Sequence, residues 1–342
     1  MKKTIAITSA LAAASSLATA EIKINEFLSF EGFVDMSYSH TDTDSDSSGK
    51  DSDNSFSIDE VEIDWLFNFG KVTARVDLQH EGSNSYIGRS QSQPESTDVE
   101  QAFVSYDLGN GSALTMGRYE SMLGLEAKEP TGLYQFSKAY GDDNFLPQYG
   151  QGVKYTGQSG DVSYGISLQD ESFDNGGSRL GGSNDVDASP DGSYSVEAAA
   201  SLVSGNITYS LGGAYEDGDD LGDIWVVNGH VIYQSGAWTF GAEYNIGNVE
   251  NPGSDDTDLT SGLVMANYAY SDCCSVTGRI SFGDEEEGST TDEDFIKYTL
   301  AHNYALTDNL AIITEVSLRE DEDTAGNNTD TLQGAVEVLF TF

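Results

Sequence analysis

The sequence predicts an all-β fold, a transmembrane antiparallel up-and-down barrel of about sixteen strands. Three observations lead there. Apolar and polar residues alternate at period 2 along the chain, the connections alternate between short and long, and the apolar rows lack charge. The terminal stretch LQGAVEVLFTF shows the first. Phe342, Phe340, Val338, Val336, Gly334 and Leu332 form one row; Thr341, Leu339, Glu337, Ala335 and Gln333 form the other. A strand with one oily and one wet neighbour reads this way.

At the other end, MKKTIAITSALAAASSLATA has a basic start (Lys2, Lys3), an apolar stretch from Ile5 to Leu17, and Ala18-Thr19-Ala20 as an A-x-A cleavage site. Residues 1–20 therefore read as a signal peptide and 21–342 as the barrel. An anchor would need about 20 apolar residues, and Thr8, Ser9, Ser15 and Ser16 interrupt this shorter run. Export plus a barrel implies the outer membrane of a Gram-negative-type bacterium. Removing Lys2 and Lys3 from the 15 basic residues leaves 13 against 58 acidic ones, a net charge of −45. Phosphate would be repelled, which excludes a general nucleic-acid binder. Thirty-seven glycines, 18 tyrosines and 15 phenylalanines suit strands and turns.

Taken in order, the strands are expected near 27–38, 57–69, 71–80, 99–108, 112–119, 148–156, 161–169, 194–203, 206–216, 224–234, 237–247, 260–270, 274–282, 294–304, 309–319 and 331–342. Tight connections such as FGK, LGNGS, GQSGD and ALTDN carry the Gly, Asn, Asp and Ser that hairpins require. Long acidic ones, such as HTDTDSDSSGKDSDNS and GDEEEGSTTDED, alternate strictly with them. Short turns on one side and long loops on the other are expected of an outer-membrane barrel. A β-sandwich has no reason to sort its loops by parity.

The rows sharpen the distinction. Val72, Ala74, Val76 and Leu78 oppose Thr73, Arg75, Asp77 and Gln79; Val61, Ile63, Trp65, Phe67 and Phe69 oppose Glu60, Glu62, Asp64, Leu66 and Asn68. A charge in lipid at mid-membrane costs up to roughly 2–4 kcal/mol, which accounts for the uncharged rows. The opposite rows are polar and face water, whereas a sandwich would need them dry. Closing the sheet pairs the last strand with the first and leaves no open edge. Phe69, Tyr209, Tyr233, Trp238, Tyr304 and Phe342 are placed at the turn-side interface; Tyr38, Tyr215, Trp225 and Tyr244 at the loop side. The aromatic-terminated last strand resembles the signal read by barrel-assembly machinery.

A barrel this wide encloses water. One connection differs from the rest: YESMLGLEAKEPTGLYQFSKAYGDDNFLPQ, 119–148, is the longest and carries Met122, Leu123, Leu125, Leu133, Tyr134, Phe136 and Tyr140. A long apolar loop packs against something, and the inner wall is the available surface, so 119–148 is read as an inward-folded constriction. A larger external loop packed on its neighbours is the competing reading. Here LTMGRYESMLGLE, YQFSKAYG and LPQYGQGVKYTG resemble the OmpL-like family of outer-membrane β-barrel porins. The matching positions are Gly117, Arg118, Tyr119, Gly124, Glu126, Ser137, Lys138, Tyr140, Gly152, Val153 and Tyr155; Gln151 stands where the pattern has Thr. The resemblance implies passive transport across an outer membrane.

The candidate pore-lining and constriction residues are Arg75, Arg118, Glu120, Glu126, Glu129, Lys154, Arg279, Lys297, Arg319, Glu62 and Asp64, with Asp142 and Asp143 adding charge to the loop. Basic wall residues facing an acidic loop would set a transverse field, as charged rings do in selective channels. Acidic loops would also gather cations at the mouth, giving a weak cation preference. Expected partners are ions and small hydrophilic solutes, outer-membrane lipids and lipopolysaccharide, the assembly machinery, and further copies in a homotrimer.

The remaining signals are smaller. Asp42, Asp44 and Asp46 resemble the start of a calcium loop, but the turn Gly and closing Glu are missing, so no metal site and no cofactor is assigned. Cys273 and Cys274 leave a vicinal disulfide, an interchain pair or free thiols open. His40, His80, His230 and His302 are scattered, so no enzyme and no catalytic residue is expected. A surface-structural or adhesin-type barrel presenting acidic loops is the alternative function.

Overall fold

The computed structural model describes residues 21–81, 96–141, 145–170, 172–173, 194–218, 222–288 and 291–342. The expected signal peptide, Asp142, Asp143 and most of the long connection after residue 170 lie outside these residues. Seventeen strands occur among the described residues. A two-residue strand, β1 (Ile22–Lys23), pairs with the start of β2 (Leu28–Ser45). The others follow as β3 (Gly49–Asn68), β4 (Val72–Glu81), β5 (Ser96–Gly109), β6 (Ser112–Glu120), β7 (Tyr149–Ser159), β8 (Val162–Gln169), β9 (Tyr194–Ser204) and β10 (Ile207–Asp217). Then come β11 (Ile224–Ser235), β12 (Trp238–Val249), β13 (Thr257–Ser271), β14 (Cys274–Glu287), β15 (Thr291–Thr307), β16 (Leu310–Glu322) and β17 (Asn328–Thr341).

From β2 onward each strand pairs antiparallel with the next, and β17 returns to β2, so sixteen strands close into a barrel. Glycine at positive φ makes several of the tight turns: Gly160, Gly205 and Gly236 all sit near +60°, where a Cβ is disfavoured. The closing seam runs from Thr329 opposite Ser45 to Thr341 opposite Phe33. Beyond it, Phe342 and Gly32 exchange two main-chain hydrogen bonds of 3.0 and 2.9 Å. The Phe342 ring packs between Phe30 and Phe340. Deleting Phe342 removes both bonds and the ring contacts at the seam. The expected result is a several-fold lower yield of the folded species that resists SDS, measured as the gel-shifted fraction after expression.

The outward rows are exposed as anticipated. Phe69, Tyr209, Tyr233, Trp238 and Tyr304 at the turn side, and Tyr38, Tyr215, Trp225 and Tyr244 at the loop side, all present large exposed rings. Trp238 packs on Tyr268 and Phe240, so the turn-side band is built of touching neighbours.

Two details depart from the sequence reading. The stretch from His40 to Ser55, expected as a long loop, is mostly strand: β2 and β3 continue in register to Ser45 opposite Gly49. Outside the membrane a ladder needs no apolar row, so hydropathy does not mark its end. The second departure is a pair of bulges. Asp35 and Met36 face Glu60 and Ile58, so Asp59 is the extra residue of one bulge; Asp77 and Leu78 face Gln101 and Val99, so Glu100 is the extra residue of the other. Each bulge breaks period 2 and turns two consecutive residues inward. Asp59 with Glu60, and Glu100 with Gln101, are consequently all buried.

Candidate pore-lining site

The residues between β6 and β7 are tied to the inward rows of distant strands. Among them only Pro130–Gly132 forms a turn of 3-10 helix among the described residues. Glu126 makes a 2.5 Å ion pair with Arg279 of β14. Its two oxygens also accept from the Gln135 amide (2.6 Å) and the Ala139 N–H (2.8 Å). The Ser137 hydroxyl donates to Glu315 of β16 at 2.6 Å and accepts from Lys297 of β15 at 2.7 Å. The Tyr140 hydroxyl donates to Glu243 of β12 at 2.7 Å. Burial, and then the Glu243 carboxylate, push that phenol's pKa up. Asn303 and Ser281 donate to the Tyr134 and Ala139 carbonyls, each at 2.7 Å. At the near end, the Met122 N–H donates to Glu197 of β9 at 2.5 Å.

Apolar contacts complete the seat. Leu125, Tyr134, Ala139 and Tyr140 form one buried cluster with Ile232, Leu263, Met265 and Phe295 of the wall. Leu123 and Leu146 form a second with Ala214, Ile224 and Val226. Glycines make the room: a Cβ on Gly212 would strike Leu123, and one on Gly241 would crowd Leu125 and Met265. The expectation that the inward rows are simply polar is corrected here. Ile232, Leu263, Met265 and Phe295 are inward and apolar because side chains of 121–148 cover them. Leu263 and Met265, two apolar residues on one parity beside Ser261 and Asn267, were the available signal.

The predicted residues divide into two groups. Arg279, Lys297 and Glu126 meet at the seat, and Arg319 is beside it, donating to the Tyr140 carbonyl at 3.4 Å and lying 4.0 Å over the Phe295 ring. The second group lies on β3–β7. Arg75 bonds Asp77 at 2.7 Å and Asp64 at 3.0 Å, with Glu62 and Glu31 each 3.9 Å away. Arg118 donates to the Glu100 carbonyl at 3.0 Å and stacks over Tyr149, whose hydroxyl donates to Glu129 at 2.9 Å. Lys154 donates to the Glu120 carbonyl at 3.0 Å and lies over Tyr119. Lys128, which sequence reasoning did not single out, is buried and bonds the Leu123 and Pro147 carbonyls. Burial pulls its pKa down.

Glu126 of the acidic loop thus faces a basic wall residue directly, in its ion pair with Arg279. Sequence reasoning placed Glu60 in the inward row but missed Asp59 and Glu100, whose inward aim depends on the bulges. The histidines are less isolated than their scatter suggests, with His40 3.3 Å from Asp42, and His230 4.0 Å from Glu243 and 3.3 Å from Asn228. Cys273 and Cys274 are free thiols at the β13–β14 turn.

No curated protein sequence matches the chain. Solved structures do, by fold. The outer membrane channel DcaP of Acinetobacter baumannii is 12% identical with a TM-score of 0.67, over 94% of this chain and 100% of that one. An anion-selective porin from Comamonas acidovorans is 14% identical at 0.63, over 92% and 99%. The trimer form of OmpT, an outer membrane protein of Vibrio cholerae, is 11% identical at 0.60, over 92% and 99%. The barrel is thus porin-like. By sequence, residues 28–342 match the family described as Putative beta-barrel porin-2, OmpL-like, and the chain belongs to that family.

Proposed function

We propose that the protein is an outer-membrane porin, a water-filled channel for passive diffusion of ions and small hydrophilic solutes, with 119–148 folded inward as its constriction and a weak preference for cations. One observation carries this reading: main-chain and side-chain groups on both halves of that segment bond inward-row residues of β9, β12, β14, β15 and β16. An external loop packed only on its neighbours would not reach those rows. Cation preference is supported by the balance of the wall. Arg75 stands among Glu31, Glu62, Asp64 and Asp77, one cation among four carboxylates. A fold neighbour is an anion-selective porin, so the barrel alone does not set the sign, and the wall charges do.

This reading includes export by the cleaved segment 1–20, assembly through the aromatic-terminated last strand, a surround of lipid and lipopolysaccharide, and a homotrimer. An adhesin would present external loops and has no use for so many contacts between one loop and the inner wall. The test is single-channel recording in a planar bilayer under a salt gradient. Discrete steps with a reversal potential of cation-selective sign are expected. Chloride-selective reversal would overturn the preference, and a folded barrel that never conducts would overturn the channel.

A further inference from the structure

Four carboxylates meet at the inner wall beside the base of the 121–148 segment. Glu60 and Glu62 come from β3, Glu100 from the bulge in β5, and Glu129 from the segment itself. One oxygen from each can be chosen so that all lie within 4.8 Å of one another. Oxygens around a single calcium ion stand 2.3–2.6 Å from it, so two across the ion are separated by about 4.6–5.2 Å. The group is therefore compact enough for its oxygens to share one calcium coordination sphere.

A cluster of acids on a water-filled wall is ordinary, and a second observation sets this one apart. Glu62 is 1% exposed, its Oε2 is buried with no hydrogen-bond partner, and its Oε1 is 3.9 Å from Arg75, beyond hydrogen-bond reach. Arg75 is committed elsewhere, to Asp77 at 2.7 Å and Asp64 at 3.0 Å. A buried carboxylate oxygen without a donor is costly, and a hard cation is the ligand that satisfies it. Neutral groups orient the neighbours: the Gln79 amide donates to Glu60 at 2.7 Å, and the Tyr149 hydroxyl to Glu129 at 2.9 Å. The bulge that aims Glu100 inward is the kind of irregularity that re-aims a side chain at a functional site.

We infer that Glu60, Glu62, Glu100 and Glu129 bind one calcium ion, which clips the 121–148 segment to the β3–β5 wall. The ion would add a tie on the β3–β5 side to the Glu126–Arg279 pair and the other wall bonds on the far side. This does not depend on the solute that the barrel carries.

The test uses the full mature chain in detergent micelles, stripped with EDTA and titrated with calcium chloride in a calorimeter. Terbium chloride provides a second readout, because Tyr149 touches a ligand and can sensitise the lanthanide. One calcium per chain is expected, together with terbium emission that falls at least tenfold in Tyr149→Phe. Glu62→Gln with Glu129→Gln should weaken calcium at least tenfold while keeping the SDS-resistant folded band. Asp44→Asn on the external hairpin should leave the tight phase unchanged. Absence of a saturable phase would overturn the inference, with the carboxylates then sharing protons instead. A tight phase that survives the double glutamine variant and vanishes in Asp44→Asn would also overturn it, by placing the ion on the hairpin.

Discussion

Replacing Glu126 with alanine is expected to loosen the 121–148 segment from its seat by about 3–5 kcal/mol, the range for removing one partner of a buried ion pair. The Arg279 side chain is fully buried and Glu126 is 12% exposed, so solvent does little to screen the loss. Among the described residues Arg279 would keep hydroxyl contacts alone, to Thr299 at 3.1 Å and Ser137 at 3.3 Å. The Gln135 amide and the Ala139 N–H would lose their acceptor as well. The expected reading is a larger and noisier unitary conductance in a planar bilayer. Glu126→Gln should fall between, because the amide keeps an acceptor for Ala139. Pairing Glu126→Ala with Arg279→Met should recover part of the loss, since no charge is then stranded. Recordings of Glu126→Ala identical to the parent would mean that the ion pair does not hold the segment.

Leu300→Arg tests the other side of the wall. Leu300 is 55% exposed on β15, opposite Val316 and Gly278 on the flanking strands. A guanidinium near the bilayer midplane costs about 2–4 kcal/mol. Leu300→Val should cost a small fraction of that. Urea unfolding from lipid vesicles, followed by tryptophan fluorescence, separates the two. Equal midpoints for Leu300→Arg and the parent would show that this row does not face lipid.

What was legible in the sequence follows from which forces act on single residues. Lipid acts on every outward residue alike, so the rows around Val72–Leu78 and Val61–Phe69 could be read without partners. Turn chemistry is local too, which is why the short connections were found. The seat could be read only in half. Leu125, Tyr134 and Phe136 marked 119–148 as a segment needing an apolar surface, but the surface is assembled from β11, β13 and β15, and no local pattern joins them. Bulges hid more. A strict period of two assigns one face to Asp59 and the other to Glu60, whereas the extra residue turns both inward. Polar hairpin extension was hidden for a related reason, since Thr41, Thr43 and Thr331 pair without an apolar row to announce it.

The long-range bonds of the segment also bear on the order of events during biogenesis. Ser137 and Glu315 are 178 positions apart, and Met122 and Glu197 are 75 apart. During synthesis and export, residues 121–148 emerge well before β14, β15 and β16. Leu125, Tyr134 and Phe136 must travel without the surface that covers them, and contacts at such sequence separations form slowly. A chain halted before β14 would carry an oily segment whose seat lacks Phe295 and the bonds from β14, β15 and β16, a species prone to aggregate. Completion of the last strands is therefore what makes the early half of the protein safe to leave unescorted.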